Sequence, residues 1–292
     1  MKQIFLLLGL SLFAVQSFAC DKCGNYNNDD FQIKKVSVKH SPEIGATIWE
    51  ITVKGTAGKT TPTPVGQLNG APVLGYVFPT SLKPTDVGFG DTEGIVALAL
   101  TSHPDFDDTP LSDENSDRNF ANDGIVWHPH WVILTEDKRV EGGLAVKQFD
   151  PKDTTVVLPP TNPGMPMYMD SPGFQVITKG NTIRLVVPDY RINNKTDFSF
   201  DGVAAFMQVN TGGDGGHGGG DKPMLGVYKV YSVASGNLSL PYKVKYLKKM
   251  EISVYDTVFK KEDGTLLKFD ILVPSSFTDL EKIYEFGNSF LK

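Results

Sequence analysis

Two histidines separated by a single proline, His128-Pro129-His130, stand inside Trp127-His128-Pro129-His130-Trp131. In an extended strand, residues i and i+2 leave the same face. Both imidazoles therefore project together and can share one metal ion, while Trp127, Pro129 and Trp131 turn to the opposite face. Proline cannot donate to a sheet ladder, so an edge strand or a bulge is expected here, where an accessible site can open. The competing reading is a pair of histidines on a solvated strand face. The chain has five histidines and two of them form this pair, which favours the metal. Two imidazoles need a third ligand. His103, in Ser102-His103-Pro104 just past the apolar run Gly94 to Thr101, closes a three-imidazole site if the two segments are neighbours, and is otherwise a turn histidine. His40, at an exposed strand end, and His217, among glycines, are weaker candidates.

Softer ligands accompany these. Three of the seven methionines, Met165, Met167 and Met169, recur at spacing two in a proline-rich loop. Thioethers suit Cu(I), although methionine also fills irregular gaps under loops. Both cysteines of the chain lie in Cys20-Asp21-Lys22-Cys23. They fit a local disulfide in an oxidising compartment, a soft two-thiolate ligand, or lipidation at Cys20. Ser17 and Phe18 depart from the usual Leu-small-small-Cys pattern and disfavour the lipid anchor. Imidazole, thioether and thiolate together favour copper over zinc, since copper uses every one of these ligand types.

A harder site is suggested by Asp113, Asn115, Asp117 and Asn119, with Asp123 following. Alternate oxygens of this kind converge on calcium in helix-flanked loops. Arg118 stands where such a loop has Gly and Gly124 where it has Glu, so the pattern is partial. A solvated acidic loop is the plain alternative.

The elements that must position these groups are strands. Gly (29) and Pro (19) punctuate the chain of 292 residues, a proportion that suits many short strands. Period-two alternation marks Phe31 to Lys39 and Thr47 to Val53, where Trp49, Ile51 and Val53 share a face. Gly94 to Thr101 is apolar throughout, as a strand covered on both faces would be. Further strands are read at 124–135, 144–149, 154–158, 174–177, 182–187, 203–209, 225–233, 242–255 and 266–273. Helical spacing occurs once, at Thr278 to Phe290. The expected fold is all-β: an antiparallel β-sandwich or barrel with long loops and a short C-terminal helix.

Residues 1–19 read as a secretory signal peptide. Lys2 precedes the apolar run Ile4 to Val15, and Ser17 and Ala19 offer a small-residue cleavage site. A flexible arm carrying the cysteines (20–30) and one β-rich domain (31–292) complete the organisation. No later stretch approaches the ~18 apolar residues of a membrane helix. A net charge of -6 excludes the basic footprint of a nucleic-acid binder. No nucleophile elbow, P-loop or dinucleotide fingerprint occurs.

The stretch from His103 to Leu134 resembles secreted copper-binding proteins of the MopE and CorA type, known from methane-oxidising bacteria. The resemblance implies a β-rich fold holding one copper through two histidines and an oxidised tryptophan, with calcium nearby. It would make His103 with His128 or His130 the ligands and Trp127 or Trp131 the oxidisable ring. The expectation is thus an exported, periplasmic or cell-surface protein that binds copper for acquisition, buffering or delivery. Occupancy should fall as pH drops through ~6, because imidazole binds metal only when neutral. The alternatives are a zinc-dependent hydrolase or lyase, which would need a buried Glu or Thr beside the site, and a calcium-stabilised surface binding module.

Overall fold

A strand that is apolar on both faces needs cover on both sides, and a computed structural model of the chain supplies it twice over. The structure describes residues 26–107, 113, 116–119, 124–212, 221–238, 252–260 and 266–274. Its strands are β1 (Ile33–Ser41), β2 (Ala46–Val53), β3 (Pro72–Pro79), β4 (Ile95–Ser102), β5 (His128–Glu136), β6 (Leu144–Val146), β7 (Met169–Asp170), β8 (Val176–Lys179), β9 (Thr182–Pro188), β10 (Asp201–Val209), β11 (Leu225–Ser235), β12 (Ile252–Lys260) and β13 (Leu266–Pro274). The fold is all-β and antiparallel. Hydrogen-bonded neighbours run β4-β3-β10-β11-β6-β5, and β5 returns to β4, which closes a six-stranded barrel. A four-stranded sheet, β1-β2-β9-β8, packs outside it, and β12 pairs with β13.

Alternation divides the apolar residues between two cores. On β4, Val96, Leu98 and Leu100 face the outer sheet, while Ile95, Ala97 and Ala99 face the barrel interior. On β5, Trp131 and Ile133 face the outer sheet and Val132 and Leu134 the interior. The outer sheet answers with Trp49, Ile51, Val53, Ile183, Leu185 and Val187. Trp49 is the hub of that layer, with Phe78 edge-on at 5.2 Å and Trp131 edge-on at 5.9 Å.

Several boundaries differ from the sequence expectation. Strand β3 goes unread in the sequence, because prolines bracket it and Gly75 interrupts it. A Cβ there would lie 2.5 Å from Met207 Cε, the end of a flexible side chain that would have to shift. Residues 154–158 form a turn followed by irregular chain and no strand, the strand expected from 124 begins at His128, and the one expected over 144–149 ends at Val146. Of the segment 242–255, only the residues from Ile252 onward are described. The signal peptide, Cys20, Cys23, His217 and the C-terminal helix at Thr278 to Phe290 lie outside the described residues. Among those described, no helix is long and apolar enough to cross a membrane.

Pro129 does not mark an edge strand. It pairs with Leu100 within the wall of the barrel. The N–H of Ile133 points away from β4, to Tyr168 O at 3.0 Å. Pro129, four residues earlier, aims its nitrogen the same way. That position lies past β7, whose partners on β5 are Trp131 and Val132, so no ladder bond is lost.

Candidate metal centre

The register of β4 on β5 pairs Thr101 with His128 and Ala99 with His130. His103 lies two residues beyond Thr101, where its N–H donates to Gly124 O at 2.8 Å. Alternation from Ala99 through Thr101 then brings His103 to the face that carries His128 and His130. All three side chains are buried at 1–2% exposure. Each offers one ligand atom, and these atoms lie within 4.8 Å of one another.

The way each ring is held determines what it can bind. His103 Nδ1 is 2.9 Å from Phe106 O, and His128 Nδ1 is 2.7 Å from Val126 O. A carbonyl only accepts, so both Nδ1 atoms carry the hydrogen and both neutral rings present a lone pair at Nε2. Those two Nε2 atoms stand 2.8 Å apart. That is hydrogen-bond distance, and with both Nδ1 atoms already donating it calls for a proton or a metal cation between the two Nε2 atoms. His130 Nδ1 is held by Asp170 O at 3.3 Å and by Ser171 Oγ at 3.1 Å, which leaves its Nε2 as the lone-pair atom. Anchoring of the far ring nitrogen is the usual way a protein orients a metal-binding imidazole. A tetrahedral ion with bonds of 2.0–2.1 Å sets its ligand atoms about 3.3 Å apart, a value inside the range of the observed separations. The triad can therefore hold a metal ion.

Behind His130 the support continues through Asp170, whose side chain is fully buried on the outer-sheet side of β7. It accepts from the Thr161 hydroxyl and lies 3.4 Å from Arg191 Nη2. Burial raises its pKa above the ordinary 3.8, against the lowering effect of the Thr161 hydrogen bond and of Arg191. A folded-state value above the unfolded one means the folded chain binds the proton more tightly. The stability this gives at acid pH is lost as pH rises through the raised midpoint. Asp170→Asn should remove that decline, measured as unfolding free energy against pH for both proteins.

Ser171 and Gly124 are partners that sequence reasoning missed. Ser171→Ala should lower metal affinity roughly 10–100-fold, the range for outer partners of metal ligands, with a metal titration as the check. Gly124 has φ +95, and a Cβ there would lie 2.5 Å from Phe106 O and 2.8 Å from His103 Cε1. Gly124→Ala must displace His103, so it should weaken metal binding while His40, on β1, keeps its contact with Asp189. The Asp123-Gly124 pair is a turn signal, and it was the available clue.

The other candidates are placed as follows. Met169 lines the barrel interior beside His130, Met167 is sealed in the interior core, and Met165 packs against that core, half-buried. Trp131 and Trp127 stand on the opposite face of the wall from the histidines. Trp131 is fully buried in the layer between barrel and sheet. Trp127 lies tilted against Tyr76, with centroids 4.7 Å apart, and donates from Nε1 to Gly58 O at 2.8 Å. The ring role implied by the resemblance thus has the barrel wall between the Trp131 indole and the triad, whereas Trp127 lines a groove together with His128. Asp113 accepts from the N–H groups of Asp117 and Arg118 at 3.0 and 2.8 Å, and Asp117 from that of Asn119 at 2.8 Å. These oxygens cap turn amides, and Asn115 and Asp123 lie outside the described residues. His40 Nε2 pairs with Asp189 at 2.9 Å, apart from the triad.

The triad sits between two spaces. His128, with Trp127, Phe174 and Asp113, lines a groove of about 570 Å³. His103, His130 and Thr101 line a cavity of about 70 Å³ within the barrel, otherwise walled by apolar side chains such as Ala99, Val132 and Ala205.

Comparison with known proteins adds one match. Residues 250–292 match a family model described as a domain of unknown function, DUF2024. This segment does not include the triad. No curated protein and no solved structure matches the chain.

Proposed function

We propose that the chain is a metal-binding protein that takes copper at His103, His128 and His130, and that it serves acquisition, buffering or delivery. The observation that carries this is the 2.8 Å approach of His103 Nε2 to His128 Nε2, both rings being anchored at Nδ1 by carbonyl oxygens. Imidazole suits copper and zinc alike. Met169, on the wall beside His130, and the buried setting favour the softer ion. The resemblance of the stretch from His103 to Leu134 to secreted copper-binding proteins, and the export signal read at residues 1–19, support action outside the cytoplasm, in the periplasm, in secretions or at the cell surface. Calcium at the acidic loop remains a subsidiary proposal. Competitive titration of metal-free protein with copper and zinc tests the assignment. One copper per chain, retained against excess zinc, is expected. Preferential retention of zinc would overturn the copper assignment.

One observation favours a second reading, a zinc-dependent hydrolase or lyase. The chemistry needs a buried hydroxyl or carboxyl next to an open coordination position, where bound water reaches a pKa of about 7. Thr101, the register partner of His128, is buried on the interior side. Ester or carbonate-type turnover restored by zinc and not by copper would select this reading.

A further inference from the structure

Strand β8 ends the outer sheet, with β9 on one side only. The two-residue turn Gly180-Asn181, with Gly180 at φ +60, closes on the pair Lys179 and Thr182. In a hairpin of this length the closing pair exchanges its hydrogen bonds, and bonding then alternates along the strand. Lys179 and Ile177 therefore bond to β9. Val176 and Thr178 direct their N–H and C=O groups away from it, and these groups meet no partner among the described residues. Sheets blunt such edges with bulges, prolines or charge. β8 has Lys179 alone, at its turn end.

The free edge borders the groove of about 570 Å³. Val176 and Thr178 line it from the sheet, Trp127 and Pro129 from the barrel, and Phe174 from the connection between β7 and β8. Trp127 is only half-buried, and Ile125 and Ile177 are 43% and 46% exposed. The layer sealed around Trp49 is thus open at this end, and what it lacks is one more strand. Among the described lining residues only Asp113 carries a formal charge. It belongs to the loop between His103 and Gly124, which has seven acidic residues against Arg118 alone.

From this juxtaposition we infer that the groove docks an extended segment of a partner protein, basic and alternating with apolar residues, which adds to β8 as a fifth strand. Strand addition takes its affinity from main-chain bonds and its specificity from alternate side chains. Here the bonds go to Val176 and Thr178, the inward apolar side chains cover Trp127 and Phe174, and the basic residues answer the acidic loop that Asp113 brings to the rim. At ~3.3 Å per residue the edge offers room for about four residues. Trp127 precedes His128, so a partner seated here touches the segment that carries a metal ligand. The edge and the groove need no ion, so the inference stands or falls apart from the metal assignment.

Two blocked hexapeptides, one alternating Lys with Val and one alternating Glu with Val, are the probes. Each is added to the metal-free full chain and followed by amide and indole NMR. The lysine peptide should shift the Val176 and Thr178 amides and the Trp127 indole N–H, and slow hydrogen exchange at those two amides. The glutamate peptide should bind roughly tenfold more weakly, since like charges repel. Asp113→Asn should weaken the lysine peptide about two- to fivefold, as loss of one exposed ion pair does. In an antiparallel pair, opposed residues share a face, so the inward valines turn their amides to β8. N-methylation of the valines should abolish binding, and N-methylation of the lysines should not. If the lysine peptide shifts no groove signal, or binds no better than the glutamate peptide, no basic segment docks there. If the N-methyl-valine peptide binds as well as its parent, the contact is not strand addition. If the Val176 and Thr178 amides already resist exchange without peptide, the edge is covered by the chain itself, or by a second copy where protection grows with concentration, and either result overturns the partner.

Discussion

His128→Ala should abolish tight metal binding, with an affinity loss beyond the roughly 100-fold upper figure for outer partners. His128 is singled out because it touches both of its fellows. Its ring centroid is 4.6 Å from that of His103 and 4.8 Å from that of His130. Removing it leaves two imidazoles, 6.3 Å apart by centroid, too few for a closed site. His103→Ala and His130→Ala should act in the same direction. The substitution also removes one partner of the close Nε2 pair, so the metal-free protein should lose much less stability than metal affinity. Copper and zinc titrations with chemical denaturation of the metal-free forms give both numbers. A variant with unchanged affinity would remove His128 from the site. A large loss of metal-free stability would mean the three rings are packed for structure.

The second large effect concerns the other face of the same strand. Trp131→Ala should destabilise the fold by roughly 3–5 kcal/mol, as large aromatic truncations in a close-packed core do. The indole is fully buried between barrel and sheet and meets Trp49 edge-on at 5.9 Å. Trp127→Ala should cost less, since that ring is only half-buried, although it gives up the bond to Gly58 O. Trp131→Phe should keep both the fold and the metal stoichiometry. Urea unfolding with a parallel titration is the check. A change of stoichiometry in Trp131→Phe would restore the indole to the metal site, as the resemblance implies.

What could be read in the sequence follows the range over which each signal acts. The shared face of His128 and His130 is a property of two residues and one backbone conformation, so it was legible at once. The third ligand depended on whether β4 and β5 are neighbours, which nothing local to His103 encodes. The run Gly94 to Thr101 was legible as doubly buried, but not as part of a closed barrel. Pro129 misled because a proline forfeits a ladder bond only on the side its nitrogen faces. Here that side lies beyond the end of β7. β3 hid behind its own prolines. Ser171 and Gly124 reach the triad only through the fold, from 41 residues after His130 and from a turn abutting His103. Thr101 was overlooked inside an apolar run, although it is the polar position of the interior face between Ala99 and His103. The tryptophans were correctly given to the opposite face by alternation, yet the resemblance drew them toward the metal.

The central claim is that one ion is held by three imidazoles at the end of the barrel interior. X-ray absorption of copper-loaded protein at one equivalent tests it most directly. Three imidazole nitrogens at about 2.0 Å, with the multiple-scattering pattern of the rings, are expected. An absorber surrounded only by oxygen, or by sulfur without imidazole, would contradict it.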